Sequence, residues 1–319
     1  MKRIRTEGRA VPKSFIMRLA AVVLCLILVC IYFKHVHQEN QVDKADYDEA
    51  DFDVTKIRDS EIAATVKLMR HLDRNRAKKG DIVLNFQGRT DPSEEIDRAP
   101  LPLFTRVNES LLNGPTYKAL ADVLTIFHED VHETEHWSDE QLKKIDHFLE
   151  LMMSTKPFKI VWEFVRSRDL APRDSEHMKS LLFTIWFGLY SRAEHSLGSS
   201  GFEHVFAGEK RDSIVEGQHF WVRFYQLEKA GKINYKGYIV ARPELSATIH
   251  YDWGKCTKAI GGFLVGTSPE FDFSLFTLCF LTKRGDKRCH FMLENFPFGV
   301  TSFKIQRRPY IATTYPVSL

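Results

Sequence analysis

Two histidines, His204 and His219, are the residues of this sequence whose type and spacing best suit catalysis. His204 lies in a segment bounded by Gly201 and Gly208, and His219 follows fifteen residues later, after Gly217-Gln218. Two imidazoles can act as a general acid and a general base, because they titrate near neutral pH. The chain has 13 histidines, so on spacing alone a structural pair is the commoner alternative.

A second histidine pattern, His128-Glu129-Asp130-Val131-His132, matches the HExxH motif of zinc peptidases, with His136 one turn further on. A helix of that kind is buried around its metal. Here acidic residues crowd the segment, and Ser138 starts a new helix directly after it. We therefore interpret the pattern as a solvated helix end with adventitious histidines. A zinc peptidase remains an alternative function.

The elements that position these residues are of two kinds. Between Ser60 and about Arg192, apolar residues recur at helical spacing, and Ser138 with Gln141 forms a capping box. After Gly201, short runs rich in β-branched and aromatic residues predict strands. These predicted strands are Tyr238–Ala241, Ala247–Tyr251, Gly262–Val265 and Phe276–Leu281.

Helices followed by strands predict an α+β fold with a helical N-terminal lobe and a β-rich C-terminal lobe. One helix interrupts the second lobe, because Phe220, Trp221, Phe224 and Leu227 follow helical spacing and Gly231 supplies a stop. The pattern thus places His219 at a helix N-terminus. His204 is expected in a strand.

The N-terminus predicts a membrane anchor. Residues 17–33 are almost entirely apolar and nearly long enough to span a bilayer. Basic residues fill the preceding tail, 1–16, and acidic residues fill the following linker, 34–54, so the Lys/Arg bias predicts a cytosolic N-terminus. Residues 55–319 would then be a luminal or extracellular domain of a type II membrane protein, with Asn108 as a glycosylation sequon. The alternative, a cleaved signal peptide, lacks a small-residue cleavage site.

Charge and cysteine content add two constraints. The 45 Lys and Arg residues nearly balance the 42 Asp and Glu residues, so any nucleic-acid site must be local. Three of the five cysteines lie outside the apolar run, which is too few for a disulfide framework. Cys279 and Cys289 flank a turn-like stretch and are either a cross-strand bridge or two core thiols.

Longer motifs give a family resemblance. The segments Ser199–Glu209 and Gly217–Trp221 resemble the EndoU (XendoU-type) uridylate-specific endoribonucleases. The resemblance extends to roughly residues 55 to 319 through five further motifs. These are Asn85–Gly88, Pro102–Phe104, Asn234–Tyr238, Gly266–Phe271 and Tyr310–Pro316.

The resemblance implies cleavage of single-stranded RNA on the 3′ side of uridylates, leaving a 2′,3′-cyclic phosphate and a 5′-hydroxyl, with Mn²⁺ or Ca²⁺ as cofactor. It places the catalytic group on His204, His219 and Lys258, with Lys255 as a competitor for the lysine. Glu203 and Glu209 match positions linked to metal dependence. Tyr315 matches the tyrosine that faces uracil, and Tyr310 is the nearby alternative. We expect a monomer.

The chemistry requires these residue types. One group must take the proton of the ribose 2′-hydroxyl, another must protonate the leaving 5′-oxygen, and a cation must stabilise the phosphorane. A helix N-terminus disfavours imidazolium, so His219 is assigned as the base and His204 as the acid.

One position departs from the family. Four residues after Lys258, where many relatives have a serine able to hydrogen-bond uracil, this chain has Gly262. We therefore expect a relaxed preference for uridine. The alternative to an enzyme is a luminal module of the same fold that binds RNA or anionic lipid without cutting.

Overall fold

The computed structural model describes residues 57–93, 96–193, 196–283 and 287–319. The predictions for the tail, the membrane helix and the acidic linker therefore lie outside the described residues. Within the described ranges, no helix combines the length and apolar character needed to cross a membrane.

The α+β prediction is confirmed. The first half is mostly helical, apart from the antiparallel pair β1 and β2 and a short 3₁₀ turn, Glu109–Asn113. Its elements are α1 (Asp59–Leu72), β1 (Ile82–Leu84), β2 (Phe104–Val107), α2 (Pro115–Leu124), α3 (Asp139–Ser154), α4 (Lys156–Arg166) and α5 (Ser175–Phe187).

The second half builds two sheets. The elements are β3 (Glu209–Arg211), β4 (Ile214–Glu216), α6 (Trp221–Lys229), β5 (Ile233–Arg242), β6 (Ser246–Trp253), β7 (Cys256–Leu264), α7 (Pro269–Thr282), β8 (Cys289–Leu293), β9 (Phe296–Lys304) and β10 (Ile311–Ser318). The five-stranded sheet has the order β3-β4-β7-β6-β5, with β4 and β7 parallel and the other pairs antiparallel, and the three-stranded sheet has the order β10-β9-β8.

Local sequence explains several helix starts. The Ser138 hydroxyl accepts a hydrogen bond from the Gln141 amide, and the Gln141 side chain accepts one from the Ser138 amide, so the predicted capping box is confirmed. Proline in the first turn of α2, α4 and α7 costs no hydrogen bond, because those N–H groups have no partner inside a helix. The predicted helix after His219 is also confirmed as α6.

The predicted strand Phe276–Leu281 is wrong, because these residues belong to α7. A short, continuously apolar run cannot be assigned by periodicity alone, since a helix buried on all sides looks the same as a buried strand. Here α7 is buried almost all round at the centre of the domain. Its Phe273 ring stacks on Trp186 at 5.1 Å and meets Phe148 edge-on at 5.4 Å.

Two of the family motifs are hydrogen-bonded to each other, because the Asn85 amide donates to the Leu103 carbonyl at 2.7 Å, and Gln87 adds contacts to the preceding Leu101. The Gln87 side-chain amide donates to the Leu101 carbonyl, and the Leu101 N–H donates to Gln87 Oε1 at 2.9 Å. The Glu228 carboxylate accepts hydrogen bonds from the amides of Leu103 and Phe104, at 2.7 and 2.9 Å. These polar contacts hold an irregular segment against α6 and β5. The residues of these two motifs therefore have a structural role, and no catalytic role is needed to explain them.

Cys279 and Cys289 form a disulfide. Of the two alternatives open from the sequence, the bridge is therefore the one present, although it is not a cross-strand bridge. It ties the last turn of α7 to the first residue of β8.

Candidate active site

His204 lies in a helical turn, so its predicted position in a strand is wrong. The turn, Glu203–Ala207, is wound as a π-helix, with the Gly208 amide donating to the Glu203 carbonyl at 2.8 Å. The apolar residues around His204 do not alternate, as a strand would require, and the neighbouring Phe202, Val205 and Phe206 are all buried. A π-type turn is often found at functional sites.

A close backbone contact brings the second histidine to the first. The amides of Gln218 and His219 donate to the carbonyls of His204 and Val205, at 2.8 and 2.7 Å. Gly217 makes this possible, because it has φ +64° and a Cβ there would lie 1.7 Å from the His204 carbonyl oxygen. The ring centroids of His204 and His219 are consequently 6.2 Å apart.

His219 precedes Phe220, the N-cap of α6, as the sequence predicted. Its Nδ1–H donates to the Gly262 carbonyl at 3.0 Å, which leaves Nε2 as the unprotonated nitrogen. Burial lowers the pKa of His219 well below its usual value, and the nearby charges of Lys258 and His204 add to the effect. The ring is therefore neutral and suited to accept a proton.

His204 has a carboxylate partner. Its Nδ1 lies 2.6 Å from Glu209 Oε1, so Nδ1–H donates to the carboxylate and Nε2 is directed away from it. Burial lowers the pKa of His204 well below its usual value, and Arg192 contributes in the same direction. Glu209 favours the imidazolium form, as would the phosphate of a bound substrate, so of the two histidines His204 is the better acid.

Arg192, which the sequence did not single out, lies at the base of this network. Its guanidinium is 2.8 Å from Glu209 Oε1 and donates to the Ser199 hydroxyl at 3.1 Å and to the Ala312 carbonyl of β10. The buried arginine thus joins the His204 carboxylate partner to the strand that carries Tyr315. Arg192 lies outside the long motifs, and no spacing pattern marks it. Only the three-dimensional structure shows that it lies beside Glu209.

Lys258, on β7, is the lysine that accompanies the histidines, and its charge acts on both of them. Burial lowers its pKa to about 8, although Glu216 and Glu209 oppose the shift. Lys255, the competitor, is exposed in the turn before β7. The structure therefore places Lys258, rather than Lys255, in the candidate site.

Tyr315 lies against the site, with its ring centroid 5.3 Å from that of His219 and the planes inclined by 32°. Tyr310 is elsewhere, packed closely against Gly188. The nearest atoms to a Cβ added at Gly262 would be the Ala247 carbonyl oxygen, Thr248 Oγ1 and the Pro316 carbonyl oxygen, none nearer than 3.7 Å. The Gly262 carbonyl thus orients the His219 ring. There is also room for a side chain at position 262.

The HExxH segment has no zincin geometry. It lies in a non-helical stretch between α2 and α3, and the side chains of His128 and His132 are 55% and 51% exposed. His128 pairs with Glu133 at 3.1 Å, and His132 pairs with Asp130 at 2.7 Å. The interpretation as a solvated segment is confirmed, except that the segment is a loop and not a helix end.

The residues expected to hold a metal do not form a donor set as they stand. Both oxygens of Glu209 are already bonded, Oε1 to His204 and Arg192 and Oε2 to Ser199. Glu203 is fully buried, its two oxygens have no hydrogen-bond partner among the described residues, and burial together with Glu209 raises its pKa well above the usual value. Burial therefore favours the protonated form of Glu203.

Among the described residues, His204, Glu209 and Glu216 have ligand atoms within 4.8 Å of one another. Arginine already neutralises this group, because Arg192 contacts both carboxylates and Arg211 lies 2.6 Å from Glu216. A divalent cation there would meet two guanidinium charges.

A second acidic group was missed by the sequence analysis. Asp73, at the end of α1, and Glu270 and Asp272, at the start of α7, are buried together beneath Thr267. Burial raises the pKa of Asp73 to about 6 and that of Asp272 well above its usual value. Among the described residues, one oxygen each of Asp73 and Glu270 has no hydrogen-bond partner, and the Thr267 hydroxyl lies close enough to Asp272 to oppose the rise in its pKa. Carboxylate oxygens are the donors that a hard cation prefers, but among the described residues these three do not bring their oxygens within 4.8 Å of one another, and Arg70 lies 3.6 Å from Asp73.

The Gly217 contact gives a specific prediction. Gly217→Ala should lower RNA cleavage by at least about 100-fold, because the new methyl group collides with the His204 carbonyl and separates the two histidines. Gly254→Ala is a matched control: Gly254 has the same φ of +64°, but a Cβ there meets nothing within 4 Å. It should cost about 1 kcal/mol of stability and leave activity near wild type. Equal losses of activity in the two variants, measured at equal folded fraction, would contradict the role given to Gly217.

Comparison with known proteins agrees with this geometry. The family model described as "Endoribonuclease XendoU" matches residues 61–316. The mouse protein named uridylate-specific endoribonuclease is 38% identical over 272 residues, which is 81% of this chain and 65% of the mouse protein. The chain thus spans about two thirds of that relative. The zebrafish uridylate-specific endoribonuclease B is 33% identical, with 81% of this chain matching 96% of the relative.

Among solved structures, XendoU, described as a splicing-independent snoRNA processing endoribonuclease, superposes with a TM-score of 0.70 and is 32% identical. The match covers 81% of this chain and 97% of the XendoU chain. Family model, relatives and fold agree. The chain therefore belongs to the XendoU family.

Proposed function

We propose that this protein is an endoribonuclease that cleaves single-stranded RNA at uridylates. The observation that carries the proposal is the convergence of His204, His219 and Lys258 beside the ring of Tyr315. The relatives are named uridylate-specific or poly(U)-specific endoribonucleases, which supports the same substrate class.

The geometry suits cleavage by internal transfer. His219 Nε2, left unprotonated because Nδ1–H donates to the Gly262 carbonyl, takes the proton of the 2′-hydroxyl. The 2′-oxygen attacks phosphorus, and the bond to the 5′-oxygen breaks. His204, protonated once Glu209 and the phosphate of the bound substrate offset the effect of burial, gives its Nε2 proton to the leaving oxygen. The products are a 2′,3′-cyclic phosphate and a 5′-hydroxyl.

Lys258 supplies the charge for this reaction. Its ammonium is half-buried, so its interaction with the developing phosphorane charge is screened less than it would be at the surface. Since the charge on the phosphoryl oxygens grows in the transition state, Lys258 should act on turnover more than on RNA affinity.

The decisive experiment measures cleavage of an oligonucleotide with one uridine in an adenosine background. His204→Ala and His219→Ala should each lower the rate by roughly 10² to 10⁴, as expected for loss of a general acid or base. Lys258→Ala should lower kcat at nearly unchanged KM, and Lys255→Ala is its control. A folded wild-type protein that binds the oligonucleotide without cutting it would favour the non-catalytic RNA-binding alternative.

The pKa of Lys258 predicts the alkaline limb of the pH profile. Because burial lowers that pKa to about 8, the ammonium is protonated below pH 8 and loses its charge as the pH rises through this value. The contribution of Lys258 to the rate should therefore fall above about pH 8, in addition to the fall that deprotonation of the acid His204 causes at lower pH. Lys258→Arg keeps its charge to much higher pH, so the step near pH 8 should disappear in that variant, whatever its absolute rate. An unchanged limb in the arginine variant would assign the limb to another group.

Uracil selection is proposed to rest on stacking against Tyr315 more than on hydrogen bonds. Gly262 has no side chain, and Thr267, another residue near it in sequence, is fully buried with the acidic group beside α7. Stacking tolerates any base, whereas a hydrogen-bonding site discriminates strongly. We infer a relaxed preference for uridine.

Single-uridine and single-cytidine oligonucleotides test this inference. Wild type should cleave after cytidine at more than about 1% of the uridine rate, a difference of less than about 2.7 kcal/mol. Gly262→Ser should sharpen the selection, and the structure has room for the hydroxymethyl group. Tighter selection by wild type, or no change in the serine variant, would contradict the inference.

We also propose Mn²⁺ or Ca²⁺ dependence. We place the cation at Asp73, Glu270 and Asp272, where several carboxylate oxygens have no hydrogen-bond partner among the described residues, because both oxygens of Glu209 are already bonded. Chelator should lower activity, and added Mn²⁺ or Ca²⁺ should restore it and raise Tm, because an ion that binds only the folded state stabilises it. In Asp272→Asn the metal-induced rise in Tm should be lost, while Glu203→Gln should retain it. The opposite result would return the site to Glu203 and Glu209.

The type II anchor and the luminal or extracellular location remain proposals that rest on the charge asymmetry around residues 17–33. Asn108, the proposed glycan site, is exposed at the start of a 3₁₀ turn, where its side-chain amide donates to Asp81 Oδ1 at 2.9 Å. In sealed microsomes the domain should resist added protease and carry an endoglycosidase-sensitive glycan that Asn108→Gln removes. Digestion in intact vesicles would contradict this topology.

A further inference from the structure

A basic groove lies apart from the catalytic group. It has a volume of about 930 Å³ and is bounded by the segment between α1 and β1, the turn between β5 and β6, and the tip of the β8–β9 hairpin. Its lining includes Arg76, Lys78, Lys79, Phe86, Val265 and Phe296. Neither the acid–base reaction nor the proposed cation site uses this groove.

The charge of the groove suits a polyanion. Arg70, Arg76, Lys78 and Lys79 line it, against two acidic residues. One of these, Glu294, is already paired with Arg70 at 3.2 Å. Lys78 and Lys79 are exposed, and the charge of Lys78 also acts on the nearby Asp81 carboxylate. Exposed ammonium groups of this kind can reach phosphates.

Aromatic side chains interleave with these cations. Phe296, at the hairpin tip, is 43% exposed, and the Arg242 guanidinium lies over its ring at 5.5 Å. Phe86, from the motif that the catalytic chemistry does not use, is half-buried in the same lining. Cations that follow a backbone, together with exposed rings on which bases stack, are the combination that binds single strands without sequence preference.

The groove continues the strands of the active site. Strand β7 carries Lys258 and Gly262 and ends at Leu264, and the next residue, Val265, lines the groove. Three residues of extended chain span about 10 Å. Strand β10 leads the same way from Tyr315 to Ser318, whose hydroxyl lies 3.1 Å from that of Ser246 on β6. An oligonucleotide of a few residues therefore reaches from one site to the other.

We propose that this groove binds the single-stranded RNA that flanks the cleaved uridylate. Arg76, Lys78 and Lys79 contact phosphates, and Phe296 stacks a base. The proposal rests on the proposed ribonuclease function. It predicts that the groove makes long RNA substrates bind more tightly than short ones.

The test compares long and short substrates in the double variant Lys78→Ala/Lys79→Ala. The binding probe is a 12-residue RNA whose single uridine is 2′-deoxyuridine, which lacks the attacking hydroxyl and stays intact. Its Kd should rise about tenfold, and the slope of log Kd against log salt should become shallower by about 1.4, as expected for two lost phosphate contacts on a single strand. Cleavage of the dinucleotide UpA should match wild type.

Two controls separate charge, ring and location. Lys156→Ala/Lys159→Ala removes two exposed lysines of α4 outside the groove and should leave the Kd unchanged. Phe296→Ala should raise the Kd about fivefold, and Phe296→Tyr, which keeps the ring, should restore it.

Several results would overturn the proposal. One is a wild-type Kd in the groove double variant, and another is an equal loss of UpA cleavage, which would mean an effect on the active site. Loss of binding to phosphatidylserine vesicles with unchanged RNA affinity would identify a membrane-facing surface instead. Failure of wild type to cleave either substrate would contradict the ribonuclease function, and the binding measurement would still decide the groove.

Discussion

The structure of the site depends on one backbone contact, between the turn that carries His204 and the segment that carries His219. The His204 carbonyl accepts from the Gln218 amide at 2.8 Å, and the left-handed conformation of Gly217 is what permits the approach. Because each histidine is then bonded through Nδ1, to Glu209 or to Gly262, both Nε2 atoms remain for the substrate. Gly217 thus sets the distance between the His204 and His219 rings, which the two side chains alone would not maintain.

Burial gives these groups their chemistry. It lowers the pKa of both histidines, lowers that of Lys258 to about 8 and raises that of Glu209. Each of these pKa shifts favours the neutral form of its group. Burial therefore makes the groups more reactive and reduces the charge that they carry. Arg192 compensates, because its guanidinium holds Glu209 against His204 and stabilises the carboxylate. The same arginine explains why the carboxylates nearest to the catalytic group are poor candidates for a metal site.

Sequence reasoning succeeded where the signal is local. Capping residues and periodicity predicted α3 and α6, and the long motifs predicted which histidines and which lysine come together. It failed where tertiary burial decides. The run Phe276–Leu281 is apolar enough for either a strand or a helix, and only its central position makes it part of α7. His204 was misplaced for a related reason, since a π-type turn has no simple periodic pattern.

What no local pattern could predict is the convergence of distant polar groups. Asp73 is nearly 200 residues from Asp272 in sequence. No local pattern near either residue indicates that both carboxyl groups are buried, or that some of their oxygens lack a hydrogen-bond partner among the described residues. Arg70 connects this acidic group to the basic groove, because it lies 3.6 Å from Asp73 and 3.2 Å from Glu294.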